Sequence, residues 1–429
     1  MLRTSKHYQE RVWRILTKKM KDSGIEWVGE IPEDWLLVKY KRFAKSGMGV
    51  TLLKSDLLDR ETADSIPVYS ATRGNEFFGY TENKKLLLEC GDLVIPARGN
   101  SIGHIKVVDK TATSTQTTIY SKVFSNEINI MFLKYCSDGL KDNWFKFDDT
   151  AIPQITVNQV NNNPVPYPSL KEQEKIVKIL NKITQKVDNI LKQTQQSIKE
   201  LKKYKQSLIT ESVTKGLDPN VEMKDSGIEW IGMIPKHWTI KKVKYFLSES
   251  SVKNYPNETV LSLYRDYGVI PKDSRTDNHN VTSSDTSSYK LIEKNDVVIN
   301  KMKAWQGSLG VSSFKGIISP AYYVYKIIDS DIYSNFLHYV LRNNLYLDEY
   351  RRISSGIRIG QWDLEKKEFE KLLYPFPNST SEQQQIVQYL DKKIFTIDSL
   401  IEDKTKVIEE LENYKKSLIY EYVTGKKEV

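Results

Sequence analysis

At 429 residues the chain is long enough for two or three domains, each burying its own core, and its 39% hydrophobic and 28% charged residues exclude a disordered or fibrous protein. The formal net charge of +9 favours polyanionic partners, while the apolar runs are too short to cross a bilayer. Two cysteines, Cys90 and Cys136, and five scattered histidines argue for a reducing, cytoplasmic setting without a disulfide framework or a metal site.

The chain opens on residues 1–20, an extension containing HYQERVWRILTKKM. This stretch reads either as an added helix or as an unconventional start, and it lacks the apolar centre of a secretory signal. The string KDSGIEWVGEIPEDW follows at Lys21–Trp35. It returns as KDSGIEWIGMIPKHW at Lys224–Trp238, with eleven of fifteen positions identical at an offset of 203. A repeat of that length marks a tandem duplication.

Residues 21–168 are expected to form a mixed, strand-rich domain. Short β-branched runs such as GDLVIPARG are followed by turn residues. Residues 169–215 then read as one long helix. Ser169 and Glu172 have the spacing of a capping box, Pro166 and Pro168 stand just upstream, and no glycine or proline occurs before Gly216. Apolar residues at Ile176, Ile179, Ile183, Val187 and Ile190 form a stripe with steps of three and four.

The second half repeats the plan. Residues 216–378 hold a linker and a second strand-rich domain, in which NDVVINKMK aligns with GDLVIPARG at offset 204. Downstream, Gly103 is matched to Gly310 at offset 207, and VYSATR, ending at Arg73, is matched to LSLYR, ending at Arg265. Residues 379–429 form a second helix with its own Ser379–Glu382 spacing and an apolar stripe through Ile386, Leu390, Ile394 and Ile397. Residues 170–215 carry eleven basic against five acidic side chains, and residues 380–429 eight against ten. Two striped rods of opposite charge are expected to pair with one another.

The doubled SGIEW-(V/I)-G-x-IP-x-x-W, EQ-x-x-IV and YK-x-SLI-x-E-x-VT strings together resemble the specificity subunit of type I restriction–modification systems over nearly the whole chain. The resemblance implies an α+β fold. Two target-recognition domains, each reading one half of a split DNA site, would be separated by two long antiparallel helices as a coiled-coil spacer, with a pseudo-two-fold internal repeat. It implies double-stranded DNA, two methyltransferase subunits and, where a nuclease is assembled, restriction subunits as partners. No cofactor, no metal and no catalytic residue is expected in such a subunit. The repeated tag would then serve to leave the spacer in the same way twice, with Trp27 and Trp230 packing the joint and Pro32 and Pro235 turning the chain.

Base readout calls for long hydrogen-bonding side chains on exposed loops, Arg for guanine and Asn or Gln for adenine. The first domain offers Arg73, Arg98, Asn100, Gln116 and Gln154. The second offers Arg265, Lys301, Lys303, Gln306, Arg358 and Gln361, with Trp305 as a stacking or core residue. Any of these could instead hold a phosphate, since half or more of protein–DNA hydrogen bonds go to the backbone. NPVPY at Asn163–Tyr167 resembles the Asn-Pro-Pro-Tyr loop of amino-methyltransferases, but it carries an inserted Val165 and stands directly before a helix start, so it reads as strand-to-helix punctuation. RGNSIGH lacks the Gly-Lys-Ser/Thr of a phosphate-binding loop. The alternative reading, a self-contained methyltransferase or nuclease, would need methyl-donor or metal-binding motifs. A bare coiled-coil scaffold would leave the strand-rich domains unused.

Overall fold

The computed structural model describes residues 18–72, 74, 76–145, 153–265, 267–275, 282–358 and 361–429, with the side chains of 357, 358 and 361 left aside. The helix considered for HYQERVWRILTKKM and the candidate Arg73 therefore fall outside the described residues. The chain divides into two units, one running to Thr194 and including Lys406–Val429, the other spanning Gln195–Thr405. Two long helices, Leu170–Lys215 and Thr380–Val423, each contribute residues to both units.

The first unit starts from the repeated tag, which folds as a small hairpin of strands Met20–Asp22 and Glu30–Pro32. Its Asp-Ser-Gly opening has a local reason. The Asp22 carboxylate accepts from the Gly24 N–H at 3.0 Å, and Gly24 and Gly29 take left-handed φ values of 72° and 67° that a side chain would resist. The strand-rich region after the tag is then closed on itself, because its first strand, Leu36–Lys39, pairs with its last, Pro164–Tyr167. Between them lies an antiparallel sheet with the order Ala44–Met48, Thr118–Val123, Leu93–Pro96, Lys106–Val107. The helix Ile130–Trp144 supplies Phe132, Leu133 and Leu140 to a core that also takes Ile176 and Leu180 from the first long helix and Leu418, Tyr422 and Val423 from the second. An ion pair, Lys415 with Asp188 at 2.5 Å, adds to this packing at the surface. Exposed pairs contribute only ~0–1 kcal/mol, so the buried stripe rather than charge holds the helical segments here.

The second unit repeats this framework. Its tag hairpin pairs Met223–Asp225 with Met233–Pro235, and Asp225 accepts from the Gly227 N–H at 2.9 Å. Thr239–Lys242 pairs with Leu373–Phe376, and the four-stranded sheet has the order Leu247–Ser250, Tyr322–Ile327, Val297–Asn300, Leu309–Val311. Phe336 and Leu337 of helix Ser334–Leu341 share a core with Leu208, Val213, Ile386 and Leu390. A stack of Tyr346 on Tyr374, centroids 4.2 Å apart, fills the middle of this core.

The repeated helix start works differently from a simple cap. Ser169 Oγ accepts from the Glu172 N–H at 3.4 Å, but the Glu172 carboxylate does not close a capping box. It accepts instead from the Trp35 indole at 3.2 Å, and Glu382 accepts from Trp238 at 3.0 Å. Trp35 and Trp238 are 1% and 0% exposed, whereas Trp27 and Trp230 are half-buried, so the last tryptophan of each tag is the one sealed into the joint. The next residue is a fully buried glutamine. Gln173 accepts from the Asn129 N–H at 2.8 Å and donates to the carbonyls of Glu127 and Pro168. Gln383 does the same with the Tyr333 N–H and the carbonyls of Asp331 and Pro377. Each Glu-Gln pair thus ties a long-helix start to its tag and to the strand-rich region of its own unit.

Candidate nucleic-acid interface

In the first unit, strand Leu93–Pro96 runs into a loop that two main-chain bonds fix at Ala97. Its N–H donates to the Thr117 carbonyl at 2.9 Å, and its carbonyl accepts from the Ile155 N–H at 2.9 Å. The next residue, Arg98, forms a bridge with Gln154, and the Gly99 N–H donates to Pro153 at 3.0 Å. Arg98, Asn100, Gln116 and Gln154 are all exposed. Gln116 is held through Thr51, whose hydroxyl donates to its side chain at 2.8 Å. Four of the five residues singled out in this domain therefore stand on adjoining loop segments at one end of the sheet.

The second unit builds the same junction at Lys301. Its N–H donates to Ala321 at 3.3 Å and its carbonyl accepts from Leu364 at 3.0 Å. The Lys301 ammonium lies 4.6 Å from the centre of the Tyr323 ring, and Lys303 is exposed. Trp305 packs on Trp362, centroids 5.0 Å apart, with the Arg351 guanidinium 5.9 Å from its ring. Arg358 and Gln361 face each other across the backbone ladder of Ser354–Arg358 and Gln361–Leu364.

Arg265 and Gln306 are gathered elsewhere in this unit. They line a cleft of about 490 Å³ with Lys205, His338 and Arg342. The Arg342 guanidinium donates to the Arg265 carbonyl, and burial, helped by the Arg342 charge, pushes the His338 imidazolium down to about 4, so this ring is neutral near pH 7. Its Nδ1 stands 3.2 Å from the Val311 nitrogen and 3.3 Å from the Val311 carbonyl oxygen, and the ring tautomer decides which of the two it bonds. Guanidinium, ammonium and amide groups on such a wall can donate to phosphate or to base edges, and nothing among them is arranged as a nucleophile with its base. Among the described residues no group of three or more His, Cys, Asp or Glu side chains could hold a metal ion.

A model of the type I restriction modification DNA specificity domain matches residues 32–200. The MjaVIII type I restriction enzyme specificity subunit of Methanocaldococcus jannaschii is 25% identical over 92% of this chain and 93% of its own length. The putative MjaX specificity subunit of the same organism is 26% identical over 93% and 95%. Over nearly its whole length the chain is similar to type I specificity subunits. Solved structures agree on the fold: a chain from a study of complex assembly and conformational transition of the type I R-M system superposes with a TM-score of 0.66 at 14% identity, covering 92% of this chain and 98% of that one. The HsdS subunit from Thermoanaerobacter tengcongensis gives 0.51 at 16% identity over the same shares. A type I specificity subunit recognises DNA and is not itself an enzyme.

NPVPY is part of the closing strand. Val165 is buried in the pairing with Val38, and the Pro164 carbonyl accepts from the Trp144 indole at 3.0 Å. Reading by residue type also missed features that register reveals. Leu93 opposes Val107 and Val297 opposes Val311, so the intervening loops match without a gap at offset 204, and Gly103 corresponds to Gly307 rather than to Gly310. Both glycines take left-handed φ, 76° and 83°. Two buried lysines went unnoticed as well. Lys106 donates to the Ser70 carbonyl at 2.9 Å and to the Thr72 hydroxyl, and Lys290 donates to the Tyr322 carbonyl at 2.9 Å. Burial lowers the pKa of both, and the carbonyls they hold explain why they stay inside.

Proposed function

We propose that this chain is a type I specificity subunit that reads a split DNA site, one half per unit, and carries the subunits that act on it. The observation behind this reading is the matched pair of junctions at Ala97 and Lys301. The same framework, anchored by equivalent main-chain bonds, presents different side chains in each unit. Such an arrangement suits two half-sites of unlike sequence. The exposed Arg98, Asn100, Gln116 and Gln154 would contact one half, and Arg73, outside the described residues, is assigned to the same half. Arg265, Lys301, Lys303, Gln306, Arg358 and Gln361 would contact the other.

The two long helices would pair antiparallel as a coiled-coil spacer related by a pseudo-two-fold repeat. Asp188 meets Lys415 in the first unit and Lys205 meets Asp398 in the second, so partners fall along one helix as they rise along the other. Residues 21–168 and 216–378 would be the recognition domains, and 169–215 and 379–429 the spacer. Two methyltransferase subunits, with restriction subunits where a nuclease forms, would complete a cytoplasmic complex.

The test is methylome sequencing of cells carrying this chain with its methyltransferase partner. A two-part motif with an unspecified gap supports the reading, and Arg98→Ala should relax one half alone. A continuous motif would overturn it, whereas uniform weakening by Arg98→Ala would make Arg98 a phosphate contact.

A further inference from the structure

The gapless match between the two loops puts Met302 where the first unit has Arg98. Both residues leave the framework directly after its double anchor, at Ala97 in one unit and at Lys301 in the other. Met302 is 40% exposed and stands between Lys301 and Lys303. Its backbone is fixed on both sides: its N–H donates to Asn300 Oδ1 at 3.1 Å, and its carbonyl accepts from the Trp305 indole at 3.1 Å. Trp305 is itself braced on Trp362. An apolar side chain is therefore held outward on a rigid turn, between two cations, at the point where the other unit offers a guanidinium.

We infer that Met302 reads a thymine methyl group in the half-site bound by the second unit. This rests on the DNA-recognition reading above. A thioether has no donor and is a poor acceptor, so it cannot replace the bidentate Arg–guanine contact. The apolar feature on a base edge in the major groove is the thymine 5-methyl group. Lysines on either side of such a contact can rest on the flanking phosphates and position the loop. The unspecific alternative, a wedge between base steps, acts from the minor groove and kinks the duplex.

The test uses the chain assembled with its methyltransferase partner and duplexes carrying its methylome-defined site. Each thymine of the second half-site is replaced in turn by uracil, which removes only the methyl group. One position should weaken binding roughly fourfold, about the worth of one buried carbon. Met302→Ala should bind the thymine and uracil duplexes equally at that position while keeping its discrimination in the first half-site. If no uracil matters, or if Met302→Ala still prefers thymine there, the inference falls while DNA recognition stands. Loss of thymine and uracil binding alike, with loss of a measurable DNA bend, would make Met302 a wedge and also overturn it. Absence of any sequence-specific binding by the wild-type complex would overturn the recognition reading itself.

Discussion

The Trp238 indole N–H donates to Glu382 Oε1 at 3.0 Å, tying the last residue of the second tag to the first turn of the second long helix. Trp35 and Glu172 repeat the bond in the first unit. Trp238→Phe keeps most of the ring and deletes the donor, so it should cost about 1 kcal/mol in urea unfolding. Trp238→Ala opens a cavity as well and should cost ~3–5 kcal/mol. Equal stability of the wild type and both variants would show that the tag is a passive linker.

Gln383 is fully buried and uses its amide for three backbone partners, at Tyr333, Asp331 and Pro377. Gln383→Leu should strand one N–H and two carbonyls at ~1–3 kcal/mol each before any relaxation. Gln383→Glu keeps the shape and the acceptor but loses the donors. Ionised, it would set a buried negative charge against the Asp331 and Pro377 carbonyls, so at neutral pH it should be at least as destabilising as Gln383→Leu and recover as the pH falls and the carboxyl regains a proton. Gln173→Leu should act in the same way on the first unit.

These two bonds show where the sequence could be read and where it could not. The strings Glu-Gln and Ile-Pro-x-x-Trp were visible as repeats, and the 3.6-residue stripe made the long helices legible, because helix periodicity is local information. What Glu172 binds is not local. Ser169 and Glu172 have capping-box spacing, yet the carboxylate turns to a tryptophan 137 residues away. The choice of Trp35 over Trp27 as the buried ring is likewise a tertiary result. The candidate loops are legible from their hydrogen-bonding side chains, and that rule passes over a methionine. The offset of 204 already sets Met302 opposite Arg98 in the sequence, and strand register extends that gapless match through the loop beyond.

His338 gives the second unit a pH dependence. Its folded pKa, lowered by burial and then by Arg342 to about 4, lies below the ordinary value of 6.5. Between those values the unfolded chain binds the extra proton, so stability falls as pH drops from 6.5 and levels off below 4. The full effect at pH 5 would be about 2 kcal/mol, and contact of the ring with the cleft reduces it. Urea midpoints at pH 7.5 and 5.0 should therefore converge in His338→Gln compared with the wild type. An identical pH slope in both proteins would place the titrating group elsewhere.

The proposed function requires that the long helices set the gap between two half-sites. Removing seven residues from each long helix, about two turns, keeps the apolar stripe in phase and shortens each rod by about 10 Å. At ~34 Å per turn of DNA, that corresponds to roughly three base pairs. Methylome sequencing of the shortened protein with its methyltransferase partner should return both original half-sites with a gap about three base pairs smaller. The same half-sites at the original gap would contradict the account.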